Sequence, residues 1–395
     1  MKILIDGQTL GTPEINRGIG VYFRNTIEEI LAHNVTDDFF IVSAEADESA
    51  HFSPWARQRL ENLSLTTAQR ANEHAYTAAI NELIQRYGIG LYWSPNPLMP
   101  NVFLTLNESP NCTFAATIFD LIPAVMETHF RKHWPARMMR LFKEKLNVLV
   151  SNYDLFLHIS EQTQSDFLRV LSVNDKRHVV TPLAADDAFR PYPFPKIPAD
   201  TDYVLYPGGF DPRKNMDRAL EAFAAMKKKH SGDNRIAQTE LVIVCHKEAA
   251  SEAELRKHAR KLGIDDHLRL TVYVSEIELL SLYQKACCLF FPSLYEGFGL
   301  PVLEGLACGL PIACSKTSSL PEVAGTLAHY FDPQDVDAMA DGLYHALTEP
   351  TDFDSRMQRC RHAKRFSWQK TARATLAAFA DSTNITARAQ ATTAK

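Results

Sequence analysis

Short apolar runs rich in Val, Ile, Leu and Phe recur along the chain, and the longer stretches between them place their apolar residues at helical spacing. The runs Ile3 to Ile5, Phe39 to Ser43, Leu91 to Ser94, Phe114 to Asp120, Leu155 to Ser160 and Val179 to Leu183 predict one series of strands. A second series is predicted at Tyr203 to Pro207, Leu241 to Cys245, Leu270 to Val274, Cys288 to Pro292, Pro311 to Ser315 and His329 to Phe331. Strands alternating with helical segments imply βαβ units and a parallel sheet, and two series imply two sheets. The expected fold class is α/β, with two Rossmann-like parallel-sheet domains. Ligands of open sheets bind outside the carboxyl ends of the strands, so the expected site is a cleft between the two.

Between the series, residues 182–198 carry prolines at 182, 191, 193, 195 and 198 and little periodicity, as a stiff connection would. The predicted organisation is a domain over 1–185, a linker over 186–200 and a second domain over 201–365. A helix over 366–382 could pack back on the first domain. The final stretch TNITARAQATTAK, residues 383–395, is polar and patternless and reads as a disordered tail. A length of 395 residues suits two cores of ~100 to 200 residues each.

Composition narrows the function classes. A net charge of -5 provides no global basic field, so no nucleic-acid partner is expected and any anionic ligand must be met locally. The seven cysteines show neither disulfide-scaffold density nor paired metal-ligand spacing, which fits a reducing cytoplasm. The N-terminal apolar run is too short for a signal peptide, and no apolar stretch reaches the ~18 residues that a span needs. The expected location is cytoplasmic, with any membrane contact peripheral and at the inner face.

Two segments carry the candidate chemistry. In YEGFGLPVLEGLACGLP, Glu296 precedes the loop Gly297, Phe298, Gly299, and Leu300 leads into a helix with Pro301 at its first position and Glu304 in its first turn. The glycines let backbone amides approach a ligand beside a helix N-terminus, which attracts anions. Two carboxylates bracketing such a site repel a bare phosphate but accept hydrogen bonds from hydroxyls on either side of it, which describes a sugar nucleotide. The plainer account is that Glu304 favours the helix dipole and Glu296 is a solvated acid. In YPGGFDPRKNMDRALEAF, a strand ends at Gly208-Gly209, and Arg213 and Lys214 stand before a helix that starts near Met216 with Asn215 as its N-cap. Such a pair could bind a diphosphate, Arg by its fork and Lys as a point charge, or be solvated surface charge.

Gly18 and Gly20 in NRGIGVY follow the first strand but lack the third glycine of a dinucleotide fingerprint, so they either admit a ligand to the backbone or form a plain turn. Asp335-Val-Asp337 and Asp352-Phe-Asp354 are read as helix-start acids, the second within a polar loop, and no metal site is expected. His246, after Cys245 at a strand end, reads as packed or solvated. Residues 131–150 gather Arg131, Lys132, Arg137, Arg140, Lys143 and Lys145 against Glu144, with Trp134, Met138, Leu141 and Phe142 among them. This stretch is either a helix that lies on anionic lipid or one whose apolar stripe packs on the sheet with solvated cations.

Taken together, these segments resemble a known family. The run from Glu296 to Glu304 looks like the acid-x7-acid motif of retaining GT-B glycosyltransferases of glycosyltransferase family 4, the group that includes bacterial polysaccharide mannosyltransferases. GGFDPRKN at 208–215, VSEIELLSLYQKA at 274–286, LPEV at 320–323 and YFDP at 330–333 continue the resemblance. RGIGVY, FDLIP, HISEQTQSDF and TPLAADDAFRP extend it more loosely into the first half. The resemblance implies GT-B architecture, a nucleotide-sugar donor and a glycan or lipid-linked acceptor, with no cofactor and no metal.

By the same resemblance, Arg213 and Lys214 hold the donor diphosphate, Glu304 the ribose hydroxyls, and Glu296 with the amides of 297–299 the sugar. Gly18, Gly20, Gly209 and Leu300 line the donor, and Val274 and Ser275 face the base. Asp120 is a catalytic candidate, but Phe119 stands where many relatives carry a histidine, which puts one sugar contact in doubt. GDP-mannose is the donor that the resemblance favours. The alternatives are a nucleotide-sugar-binding subunit of weak or no activity, or another GT-B enzyme such as an epimerase.

Overall fold

The computed structural model describes residues 1–16, 18–43, 50–131, 134–173, 175–191, 202–245, 249–272 and 274–393. The chain divides into two compact units, Met1–Leu183 with Ser367–Lys395, and Ala184–Phe366. Most of the expected linker, His246, Arg17 and Lys132 lie outside the described residues.

The first unit is built on seven strands: β1 (Lys2–Asp6), β2 (Asp38–Ser43), β3 (Leu60–Ser64), β4 (Leu91–Ser94), β5 (Thr113–Ile118), β6 (Leu155–His158) and β7 (Arg177–Val180). They pair in parallel in the order β3-β2-β1-β4-β5-β6-β7. Every residue of β4, β5 and β6 is buried, which is why these segments read as unbroken apolar runs. β3 escapes the hydrophobic pattern because it is an edge strand whose buried residues, Leu60 and Leu63, fall three apart. The fourth and fifth predicted strands, observed as β5 and β6, stop short of Asp120 and Ser160. Asp120 accepts from the Ile122 amide at 3.0 Å, and Ser160 caps the helix Glu161–Leu171.

The helix Trp368–Thr393 belongs to this unit: the Phe379 ring stands 5.5 Å from Trp93, and Arg177 pairs with Asp381 at 2.7 Å. It runs on through residues 383–393, where a disordered tail is expected from sequence, over a stretch that contains no Gly or Pro to stop it. The basic stretch is a helix over Ala136–Asn152, but Lys145 is no solvated cation. It is buried, donates to the carbonyls of Met99 and Val102, and burial lowers its ammonium to about 8. Arg131 and Lys143 both pair with Glu127 at 2.8 Å.

The second unit carries β8 (Tyr203–Tyr206), β9 (Glu240–Cys245), β10 (Leu268–Val272), β11 (Cys288–Phe291), β12 (Ile312–Ser315) and β13 (Ala328–Phe331). Its parallel order is β10-β9-β8-β11-β12-β13. Leu220 and Phe223 from the helix Met216–Lys229 and Leu343 from Val336–Thr348 share one core with Val204, Ile243 and Phe290 of the sheet. The strand order reverses between β8 and β11, where flanking connections leave toward opposite sides and open a crevice at the carboxyl ends. The loops after β8, β11 and β12 therefore emerge side by side at that edge. Asp335 and Asp352 each cap a helix, accepting from the Ala338 and Ser355 amides, so the second acid pair opens a helix rather than lying in a loop.

Candidate active site

The loop after β8 is shaped by its own short contacts. Gly209 adopts φ +63°, a conformation that favours glycine. Asp211 accepts from the Arg213 amide and from Arg213 Nε, each at 3.0 Å, closing the turn Pro212–Lys214. The Tyr206 hydroxyl donates to the Lys214 carbonyl at 2.8 Å. Asn215 occupies the N-cap position expected of it but does not cap. It sits at φ +65°, and its Nδ2 donates to the carbonyls of Pro292 at 3.1 Å and Pro333 at 2.7 Å, tying this loop to its neighbours.

Those ties bring the two cations to the acid of the β11 loop. The Leu294 amide donates to the Arg213 carbonyl at 2.8 Å. Lys214 Nζ then stands 2.6 Å from Glu296 Oε1, and Arg213 Nη1 stands 3.1 Å from Oε2. Lys214 also lies 4.8 Å from the centre of the Phe291 ring. Glu296 is 7% exposed. Burial pushes its carboxyl up, but the charges of Lys214 and Arg213 outweigh that and hold it below the usual range, so it is anionic at neutral pH. This disposes of the solvated-acid reading. Two acids, Asp211 and Glu296, face two cations.

Beyond Glu296 the chain turns through Gly297, Phe298 and Gly299 into the helix Leu300–Ala307. Gly299 is at φ +101°, and a Cβ there would sit 2.5 Å from Leu320. Phe298 is buried with its ring edge-on to Phe366 at 5.7 Å. Leu300 opens the helix and Pro301 follows, one place later than expected. Glu304 is accordingly the fifth helical residue and not a first-turn acid, which removes the dipole account of it. It is half-buried, takes a hydrogen bond from Tyr283, and is pushed up to about 7, chiefly by burial.

The other expected residues have local explanations. Ser275 forms a capping box with Glu278 at the start of Glu276–Lys285, after a half-buried Val274. Gly20 lies in the helix Gly18–His33 where a Cβ would fall 1.9 Å from the Ile15 carbonyl, so close packing alone requires it. Phe119 is edge-on to Tyr22 at 5.2 Å. Gly18, Gly20 and Asp120 all belong to the first unit.

Sequence reasoning missed Ser318 and Ser319, which follow β12. The Glu296 amide donates to Ser318 Oγ at 2.9 Å, and Ser319 Oγ donates to the carbonyls of Glu296 at 3.0 Å and Phe298 at 2.7 Å. The available signal was the Ser-Ser pair before LPEV, which reads as an ordinary helix start.

The sequence model described as "Glycosyl transferases group 1" matches residues 193–366. The chain is 28% identical to the O-antigen chain mannosyltransferase B of Escherichia coli over 261 residues, 63% of this chain and 66% of that one. It is 30% identical to the MMP alpha-(1->4)-mannosyltransferase of Mycolicibacterium hassiacum, over 56% of this chain and 53% of that one. The chain thus spans less than two thirds of either relative. In fold it is similar to the sucrose-phosphate synthase of Thermosynechococcus elongatus, with a TM-score of 0.69 at 19% identity, covering 94% of this chain and 96% of that one. The match to the group 1 glycosyltransferase model thus falls on residues 193–366, which hold Arg213, Lys214, Glu296 and Glu304, and the fold is that of the GT-B glycosyltransferases.

Proposed function

We propose that the protein transfers mannose from GDP-mannose to a hydroxyl of a glycan or lipid-linked oligosaccharide, with retention and without a metal. The observation that carries this reading is the convergence of Arg213, Lys214 and Glu296 at the switch point between β8 and β11. In this reading the two cations receive the donor diphosphate, and Glu304 accepts from the ribose hydroxyls. The bond that breaks joins the sugar C1 to the diphosphate oxygen, which leaves with the electron pair. Arg213 and Lys214 stabilise that developing charge without reorganising, and anionic Glu296 favours the positive charge that gathers on the sugar. Mannose is supported by the mannosyltransferases among the similar proteins.

Calorimetric titration with GDP, UDP, ADP and dTDP, with and without magnesium, tests the donor assignment. Selective binding of GDP in the absence of magnesium is expected; selection of another base overturns GDP, and no binding overturns the donor site itself. A peripheral membrane contact through 131–150 would rest on the exposed Arg137 and Arg140, since Lys145 is buried. Failure to float with anionic vesicles at low salt removes it.

A further inference from the structure

Ser318 and Ser319 each forgo a locally favourable arrangement in order to reach the Glu296 loop. Ser318 is held at φ +50°, a region that disfavours any residue with a Cβ. Ser319 occupies the N-cap position of the helix Leu320–Ala324, yet its hydroxyl makes no cap and turns instead to the carbonyls of Glu296 and Phe298. Both backbone polar groups of Glu296 are therefore engaged by this dipeptide, its amide by Ser318 and its carbonyl by Ser319. Backbone strain and an unused cap at adjacent residues, both directed at one acid, mark a functional constraint rather than a packing accident.

The carboxylate of Glu296 is held from its other end by Arg213 and Lys214. When those cations turn to a donor diphosphate they share their hold on the acid, and the backbone clasp is what then fixes it. We propose that Ser318 and Ser319 are positioning residues that keep Glu296 in register with the transferred sugar while the cations are occupied; this rests on the glycosyltransferase reading above. Lys214 keeps its own supports, the Tyr206 hydroxyl and the Phe291 ring, so the clasp bears on turnover and not on diphosphate binding.

The test is a set of three variants assayed for hydrolysis of the nucleotide sugar whose nucleoside diphosphate the wild type binds, and for the Kd of that diphosphate. Ser318→Gly relieves the positive φ but removes the acceptor, so kcat should fall between about ten- and a hundredfold, the range a small misplacement produces, with Kd within about twofold and no loss of thermal stability. Ser319→Ala should lower kcat comparably. Ser318→Asn, which tolerates this backbone region and offers a side-chain carbonyl, should recover part of the loss. Wild-type kcat in Ser318→Gly and folded Ser319→Ala overturns the proposal, as does a parallel loss of kcat and diphosphate affinity. A wild type that binds no nucleoside diphosphate and hydrolyses no nucleotide sugar overturns the glycosyltransferase reading first, and this inference with it.

Discussion

Replacing Glu296 with Gln removes one negative charge from between two cations while keeping the side chain's size, and tighter binding of the leaving diphosphate is expected. Glu296 now occupies Lys214 at 2.6 Å and Arg213 at 3.1 Å. A phosphate that joins them must share the same donors, and two anions each about 2.8 Å from a common ammonium stand about 5 Å apart. At that distance their repulsion is about 3 kcal/mol for an effective dielectric of 20 and under about 1 kcal/mol in bulk water. Lys214 and Arg213 side chains are 14% and 20% exposed, so the applicable value lies between these limits. Relief of about 1 to 3 kcal/mol corresponds to roughly five- to a hundredfold in Kd. Donor hydrolysis should fall in the same variant, because the amide no longer favours positive charge on the sugar. Isothermal titration of both proteins, at low and moderate salt, measures the difference, and the gap should shrink only slightly with salt at a site this buried. Equal or weaker diphosphate binding by Glu296→Gln would refute the reasoning, because the carboxylate would then not compete for these cations.

Lys214→Ala should act oppositely, weakening the nucleoside diphosphate about ten- to a hundredfold, since one charge-assisted contact is lost; unchanged affinity removes Lys214 from the site. Glu304 supplies a pH test. Its folded carboxyl is raised to about 7 from 4.5, so its contribution to stability is present below pH 4.5 and is lost as pH rises toward 7. Melts of wild type and Glu304→Gln should therefore diverge across that window, the wild type losing about 1 to 3 kcal/mol relative to the variant, and parallel curves would contradict the shift. Asn215→Ala strands two buried carbonyl contacts and places a Cβ without local hydrogen bonding at positive φ, and should cost about 2 to 4 kcal/mol in chemical denaturation. Asn215→Gly should cost about 1 kcal/mol less, separating the backbone share from the hydrogen bonds.

How much of this was legible in the sequence depends on how local each cause is. Strands buried on both faces write themselves as apolar runs, so β4, β5 and β11 are evident, while β3, half exposed at an edge, leaves no alternating pattern. Arg213, Lys214 and Glu296 could be named because glycines and a helix start marked their loops, although nothing local showed that the cations would grip the acid. Lys145 looked like its solvated neighbours, since its partners are carbonyls some forty residues away. Asn215 and Ser319 both stand at helix starts, where a polar residue reads as a cap, yet each turns its side chain across to another loop. Cap signals predict where a helix begins but not where the side chain goes.

The division of the chain has a consequence for how the protein is made. The unit with the Glu296 group is one continuous segment, Ala184–Phe366, whereas the other needs residues from both ends of the sequence. Trp93, on the central strand β4, packs against Phe379, and Tyr22 packs against Trp368 as well as Phe119, so each of those rings lacks one of its partners until the helix Trp368–Thr393 has been synthesised. During vectorial synthesis the second unit can thus complete its core while the first, though begun earlier, is still open. Ribosome-bound chains halted soon after Phe366 has emerged should already protect the 184–366 segment from protease and leave the β4 region susceptible.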